Sequence, residues 1–209
     1  IIVLEIGSML VHLGMSGSLR VVKCSADWRK HDHIELKCSN GAVLRYHDPR
    51  RFGSWLWSLD NHHQLDHLGP EPLSEEFSGE KLWEKSRGRK ISVKPFIMDN
   101  KIVVGVGNIY ASEALFRSGI RPDRAAGRIS KVRYEVLAGH IKEVLAAAIE
   151  KGGTTLRDFV NSSGEPGSFQ QTLAVYGRAG EPCTVGGGFL QDVRRGQRSS
   201  GFCPTCQRS

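Results

Sequence analysis

The sequence predicts an α+β protein: part of an antiparallel β-sandwich, then a helical domain, then a C-terminal cysteine hairpin. Three observations carry this prediction. Residues 1–58 fall into short apolar or alternating runs broken by turn residues, the pattern of antiparallel strands. Beyond Gly69-Pro-Glu-Pro72 the apolar spacing becomes helical. Near the end, Cys183 and the knuckle Cys203-Pro-Thr-Cys206 stand in a ribbon-like frame. The domain boundaries that follow are 1–68, 69–172 and 173–209.

The elements are justified in order. Ile1–Ile6 and Met9–Leu13 are strands flanking Gly7-Ser8, and Ser18–Val22 follows a Gly14–Gly17 loop. His31–Lys37 alternates with period two. Asn40-Gly41 signals a hairpin, because both central residues of a type I′ turn need positive φ. Ala42–Tyr46 returns, and Ser54–Trp57 lies beyond Asp48-Pro-Arg-Arg-Phe-Gly53. Because the chain opens inside an apolar run, and a cut edge strand would expose unpaired backbone, the expectation is a fragment lacking residues before Ile1.

In the second half, Asn108–Arg117 is a short helix closed by Gly119 and Pro122. Ser130 caps a long helix with an apolar stripe of Val132, Val136, Leu137, Ile141, Val144, Leu145, Ala148 and Ile149. Gly152-Gly153 ends it. Thr154 or Thr155 caps a short helix to Val160, and Asn161–Gly167 is a flexible loop. The cysteine module begins near Tyr176.

Composition narrows the function classes. A formal charge of +7 and a pI near 9.3 favour a polyanionic partner without proving one. No eighteen-residue apolar run and no secretory signal pattern occur. Cys24 and Cys38 stand apart in strand-like sequence and read as reduced thiols. With three further cysteines in a metal-type frame, the chain is expected to be intracellular.

The cysteine spacing is the sharpest chemical signal. A C-x2-C-x16-C-x2-C frame can close a thiolate tetrahedron around one zinc ion. Here Gly186 stands where the second cysteine belongs, leaving Cys183, Cys203 and Cys206. Arg194, Arg195 and Arg198 lie between the knuckles and suit a phosphate backbone. Val104-Gly-Val-Gly-Asn108 is either an anion-binding turn or a plain helix start. Arg50-Arg-Phe52 is either a wedge for a base stack or a surface turn, and His12-Leu-Gly-Met15 is equally open. Lys85, Arg87, Arg89, Lys90 and Lys94 form a basic run whose default is a solvated face, and Asp99 is a cap or an active-site acid.

Taken together, the chain resembles the formamidopyrimidine-DNA glycosylase family of bacterial base-excision repair enzymes. The likeness runs through His12-Leu-Gly-Met-Ser-Gly-Ser-Leu-Arg20, Lys30-His-Asp-His33, Asp48–Gly53 and His67-Leu-Gly-Pro-Glu-Pro72. It continues through Lys94–Lys101, Val104–Glu113, Gly152-Gly-Thr-Thr155 and Tyr176-Gly-Arg to Cys206. Arg50-Arg-Phe52 and Lys94-Pro95 place it nearer this branch than the pyrimidine-specific endonuclease VIII branch.

The resemblance implies a helix-two-turn-helix domain, a zinc ribbon, and a monomer acting on damaged double-stranded DNA in the bacterial cytoplasm, at the nucleoid. It implies that Met15, Arg50 and Phe52 fill the gap left by a flipped base. His12, Asn108 and Arg198 would hold phosphates, with His31, Arg50, Arg89 and Lys94 as further DNA contacts. Arg198 would also serve the elimination step, and Asn161–Gln171 would cover the flipped base. The family's Pro nucleophile, Glu and Lys have no match, so the chain as it stands is expected to be inactive, a non-catalytic DNA binder being the alternative. Gly186 is expected to weaken the zinc site and the aim of Arg198.

Overall fold

The computed structural model describes residues 1–14, 16–153, 169–195 and 198–208. The chain divides into two compact units, Ile1–Asp66 with Glu150–Gln171, and His67–Ile149 with Thr172–Ser209. The architecture is α+β with antiparallel sheets, a helical body and a C-terminal hairpin beside a cysteine cluster.

The first unit carries two three-stranded antiparallel sheets. One has the order β1 (Ile2–Val3), β2 (Ser8–His12), β6 (Ser54–Ser58), with Val11 opposite Trp55. The other has the order β3 (Ser18–Val22), β5 (Val43–His47), β4 (Asp32–Lys37), with Arg20 opposite Arg45 and a register shift between Asp32 and Ile34. The predicted Ile1–Ile6 strand shrinks to Ile2–Val3, because Leu4 N–H donates to the Gly7 carbonyl and turns the chain back.

Asn40-Gly41 does join β4 to β5, but not by a two-residue type I′ turn. Only Gly41 has positive φ (82°), and Cys38 N–H donates to the Ala42 carbonyl, so Ser39, Asn40 and Gly41 all lie in the loop. That is the three-residue form with a left-handed glycine, supported by Ala42 N–H donating to Asn40 Oδ1 at 3.0 Å.

Arg45, only 2% exposed, is paired rather than stranded. It donates to Glu35 and to the carbonyls of Ala26 and Asp27, and lies 3.8 Å from Asp32, which also takes Arg20 and His47. Such pairing is the condition for burying charge. Tyr46 packs edge-on to Trp55 at 5.4 Å.

The second unit is built on α1 (Gly79–Ser86), α2 (Val93–Ile97), α3 (Asn108–Arg117) and α4 (Lys131–Glu150). Their shared core includes Leu82, Phe96, Leu115, Ile120, Tyr134, Leu137 and Ile141. Ser130 Oγ accepts the Arg133 N–H at the start of α4. The buried stripe of α4 is Tyr134, Leu137, Ala138, Ile141, Val144, Leu145 and Ala148. Val132, Val136 and Ile149, assigned to that stripe from sequence, are 74%, 47% and 66% exposed. At about 100° per residue Val132 and Val136 lie opposite the face that Tyr134 and Ile141 define, whereas Ile149 lies at the edge of that face in the last turn of the helix.

A hairpin, β7 (Gln191–Arg195) and β8 (Arg198–Phe202), closes the second unit. Leu190, Cys183 and Cys203 pack with Val175 and with Phe116 of α3. The fully buried Gln207 accepts from Cys203 N–H and donates to the Ile120 carbonyl, tying the last turn to the helical core. The helix expected up to Val160 and most of the Asn161–Gln171 loop lie outside the described residues; Phe169–Thr172 is a 3₁₀ turn.

Candidate nucleic-acid interface and thiol cluster

In the first unit, the Asp48–Gly53 loop is organised around one buried carboxylate. Asp48 accepts from Tyr46 Oη (2.9 Å), Gly53 N–H (2.9 Å), Arg50 N–H (3.3 Å) and Ser16 Oγ (3.4 Å). Burial by itself would raise its pKa; the Gly53, Arg50 and Arg51 N–H groups and the Tyr46 hydroxyl outweigh that and hold it below the ordinary carboxylate value. Burial and the neighbouring Asp48 push Tyr46 up to about 12. Gly53 is required here, since a Cβ would overlap the Tyr46 hydroxyl. Arg51 takes a left-handed φ of 55°.

What this loop offers outward is Arg50, Arg51 and a Phe52 ring 57% exposed, with the Arg50 guanidinium 5.0 Å from the ring centroid. His12 is exposed, and its Nδ1 accepts the Gly14 N–H. His31 packs edge-on to His47 at 5.9 Å and accepts the Asp48 N–H through its carbonyl. Met15 lies outside the described residues.

In the second unit, Lys94, Pro95, Met98, Asn108, Arg198 and Ser200 line a recess of about 140 Å³. Lys94 was expected on a solvated face, but it is 3% exposed and donates to the Ser199 carbonyl (2.9 Å) and Ser200 Oγ (2.8 Å). Burial lowers it to about 8; Asp192 opposes that and Arg198 adds to it. Asn108 is the first residue of α3, whose N-cap, Gly107, makes no side-chain cap hydrogen bond, so the positive end of the helix dipole lies at this recess. Its Nδ2 donates to Tyr176 Oη at 3.4 Å, while its buried Oδ1 has no hydrogen-bond partner among the described residues. Arg198 opens β8, exposed, with Nη1 4.0 Å from Met98 Sδ. Arg89 stands apart from this recess, in a second one lined by Gly88, Lys90, Ala125, Gly127 and Arg128.

Sequence reasoning gave no role to Glu113. It is 1% exposed and accepts the backbone N–H groups of Ala174, Val175 and Tyr176 at 2.8–3.0 Å. A charged residue among the buried Ala111, Ala114 and Leu115 of α3 was the signal available. Asp99 resolves as a turn cap, accepting the Lys101 N–H.

Cys183, Cys203 and Cys206 bring their sulfurs within 4.8 Å of one another, with Cys183 and Cys206 3.8 Å apart. A tetrahedron with sulfurs ~2.3 Å from a zinc ion has edges of about 3.8 Å, so these thiols fit a metal ion. Val185 and Gly186 N–H groups point at Cys183 Sγ, as in an intact knuckle. Those N–H groups, Cys203 and Cys206 hold Cys183 below its ordinary value despite burial; burial and the other two thiols push Cys206 up to about 12. Cys24 and Cys38 are exposed and free.

Three family models match. They are the formamidopyrimidine-DNA glycosylase N-terminal domain over residues 1–55, its H2TH domain over 68–160, and a zinc finger found in FPG and IleRS over 180–208. The formamidopyrimidine-DNA glycosylase of Pseudomonas entomophila is 60% identical over 98% of this chain and 76% of its own length. That of Serratia proteamaculans is 59% identical over 100% of this chain and 78% of its own length. Among solved structures, a Lactococcus lactis FPG variant bound to Fapy-dG DNA shares 31% identity, covering 96% of this chain and 75% of that one, with a TM-score of 0.82. MutM bound to carbocyclic 8-oxo-G DNA shares 33% identity, with coverages of 96% and 74% and a TM-score of 0.83.

The expectation of a strand cut open at Ile1 is corrected by these matches and by the pairing of that strand. The N-terminal domain model matches from residue 1, the Serratia relative aligns along all of this chain, and Ile2–Val3 is paired to β2 rather than cut open. With relatives at 60% identity over nearly all its residues, the chain belongs to the formamidopyrimidine-DNA glycosylase family.

Proposed function

We infer that the protein acts in base-excision repair, removing oxidised purines such as 8-oxoguanine and formamidopyrimidines from duplex DNA and cleaving at the resulting abasic site. The carrying observation is the recess of Lys94, Asn108 and Arg198, cationic and set at an uncapped helix N-terminus, in a chain of this family. A phosphate at its mouth would meet the Asn108 amide, the Arg198 guanidinium and the dipole of α3, while Lys94 adds charge from within.

The first unit contributes the wedge. Phe52 is an exposed aromatic on a loop fixed by Asp48, and Arg50 beside it can take the hydrogen bonds of an orphaned base. Met15 joins them on resemblance alone. His12, with Asn108 and Arg198, holds phosphates; His31, Arg89 and Lys94 are further DNA contacts, and Arg198 also serves elimination.

The ribbon is proposed to hold zinc through Cys183, Cys203 and Cys206, less tightly than four thiolates would, because Gly186 supplies no sulfur. The ion would be structural, fixing the hairpin that carries Arg198. The modules 1–68, 69–172 and 173–209, a monomeric state and a bacterial, nucleoid-associated location complete the proposal.

The test is lesion choice. Duplexes with 8-oxoguanine opposite cytosine and duplexes with thymine glycol are incubated with the protein, and nicked strands are quantified. Preference for 8-oxoguanine is expected. Preference for thymine glycol would favour a pyrimidine-specific enzyme, and nicking of neither would favour a non-catalytic binder.

A further inference from the structure

The thiol cluster is built like a site with one coordination position left vacant by the protein. Cys183 and Cys203 are buried, whereas Cys206 is partly exposed, as is Gly186 beside it. The first knuckle keeps its fold, with the Val185 and Gly186 N–H groups on Cys183 Sγ. A Cβ built on Gly186 would overlap Cys206 Sγ, so position 186 faces the cluster and a side chain there would enter it. The neighbours Val185, Gly187 and Thr205 are exposed, so this side of the cluster opens to solvent. Among the described residues no further Cys, His, Asp or Glu joins the three sulfurs.

Closed structural zinc sites have four protein ligands, whereas three protein ligands leave a place for water or an incoming donor. Soft thiolates select thiophilic ions, and such an ion prefers another soft donor over water. We propose that Cys183, Cys203 and Cys206 hold a thiophilic divalent ion whose fourth position, on the Gly186 side, is open and takes an exogenous small thiol. The proposal rests on the metal-ribbon reading above, but it adds an exchangeable ligand site that a four-cysteine ribbon lacks.

The test uses cobalt(II) as a spectroscopic stand-in, loaded into the full chain, its Gly186→Cys variant and its Cys203→Ser variant. Sulfur-to-cobalt absorbance in the parent chain is expected at about three quarters of that in Gly186→Cys, three thiolates against four. Titration with 2-mercaptoethanol should raise the parent's absorbance toward the Gly186→Cys value and shift its visible bands, while leaving Gly186→Cys unchanged. Cobalt spectra in the parent that match Gly186→Cys, or that ignore added thiol, would overturn the open position while leaving the metal site standing. Absence of thiolate–cobalt absorbance in the parent chain, or its persistence unchanged in Cys203→Ser, would overturn the metal reading itself.

Discussion

Lys94 of α2 donates to Ser200 of β8 at 2.8 Å, joining residues 106 positions apart inside the recess that Asn108 and Arg198 also line. The bond holds an ammonium away from water, and burial drops it to about 8. For stability, the sign follows from a lowered cationic pKa. The folded state loses its proton near pH 8 and the unfolded state only near the ordinary lysine value, so folding stability from this group rises with pH across that window.

For DNA binding the sign is opposite. A phosphate favours the charged form, so affinity should fall about tenfold from pH 7 to pH 9 if Lys94 stays protonated in the complex. Lys94→Arg, charged throughout, should flatten that profile. Equilibrium binding to duplex DNA at constant salt across that range measures it.

Arg198 should behave as a phosphate anchor. Arg198→Ala is expected to lower the magnitude of the log K against log salt slope by about one. An unchanged slope would remove Arg198 from the backbone contacts.

Glu113 is a positioning residue. Its carboxylate gathers three N–H groups of Ala174–Tyr176 and so places Tyr176 against Asn108. Glu113→Gln turns an amide donor toward donors and should cost about 2–3 kcal/mol of stability, read by denaturant unfolding. Tyr176→Phe removes only the hydroxyl that Asn108 meets; it should leave stability within about 0.5 kcal/mol and weaken DNA binding.

The wedge loop separates fold from function in the same way. Phe52→Ala removes an exposed ring and should change stability by no more than about 0.5 kcal/mol, while affinity for a lesion duplex falls. Asp48→Asn should destabilise by about 1–3 kcal/mol, because the buried carboxylate holds the loop. Its lowered pKa gives stability present above the ordinary carboxylate value and lost as pH falls through the folded one, so the acid limb of unfolding should move in Asp48→Asn.

Much of this was legible in the residues, and the exceptions have physical causes. Alternation located β4, and the spacing from Asn108 to Gly119 located α3. The Asn40-Gly41 turn was found but mistyped, because Ser39 joins the loop once Cys38 pairs with Ala42. The α4 stripe was right at Leu137, Ile141 and Val144 and wrong at Val132 and Val136, since apolar content alone does not fix a helix's phase, and wrong at Ile149, which is exposed in the last turn. Lys94 read as solvated because the residues that bury it, Ser199 and Ser200, lie over a hundred positions away. Glu113 gave only its sign, a charge on an apolar face; its three partners are backbone groups, which carry no sequence signature.

The central claim is that the Lys94–Asn108–Arg198 recess holds DNA phosphate next to a lesion. Its most direct measurement is the dissociation constant for a duplex with an abasic-site analogue against an undamaged duplex, for the parent chain and Asn108→Ala. The account predicts tighter binding of the abasic duplex by the parent and loss of most of that difference in Asn108→Ala. Equal affinities for the two duplexes, or an Asn108→Ala variant that keeps the full difference, would contradict it.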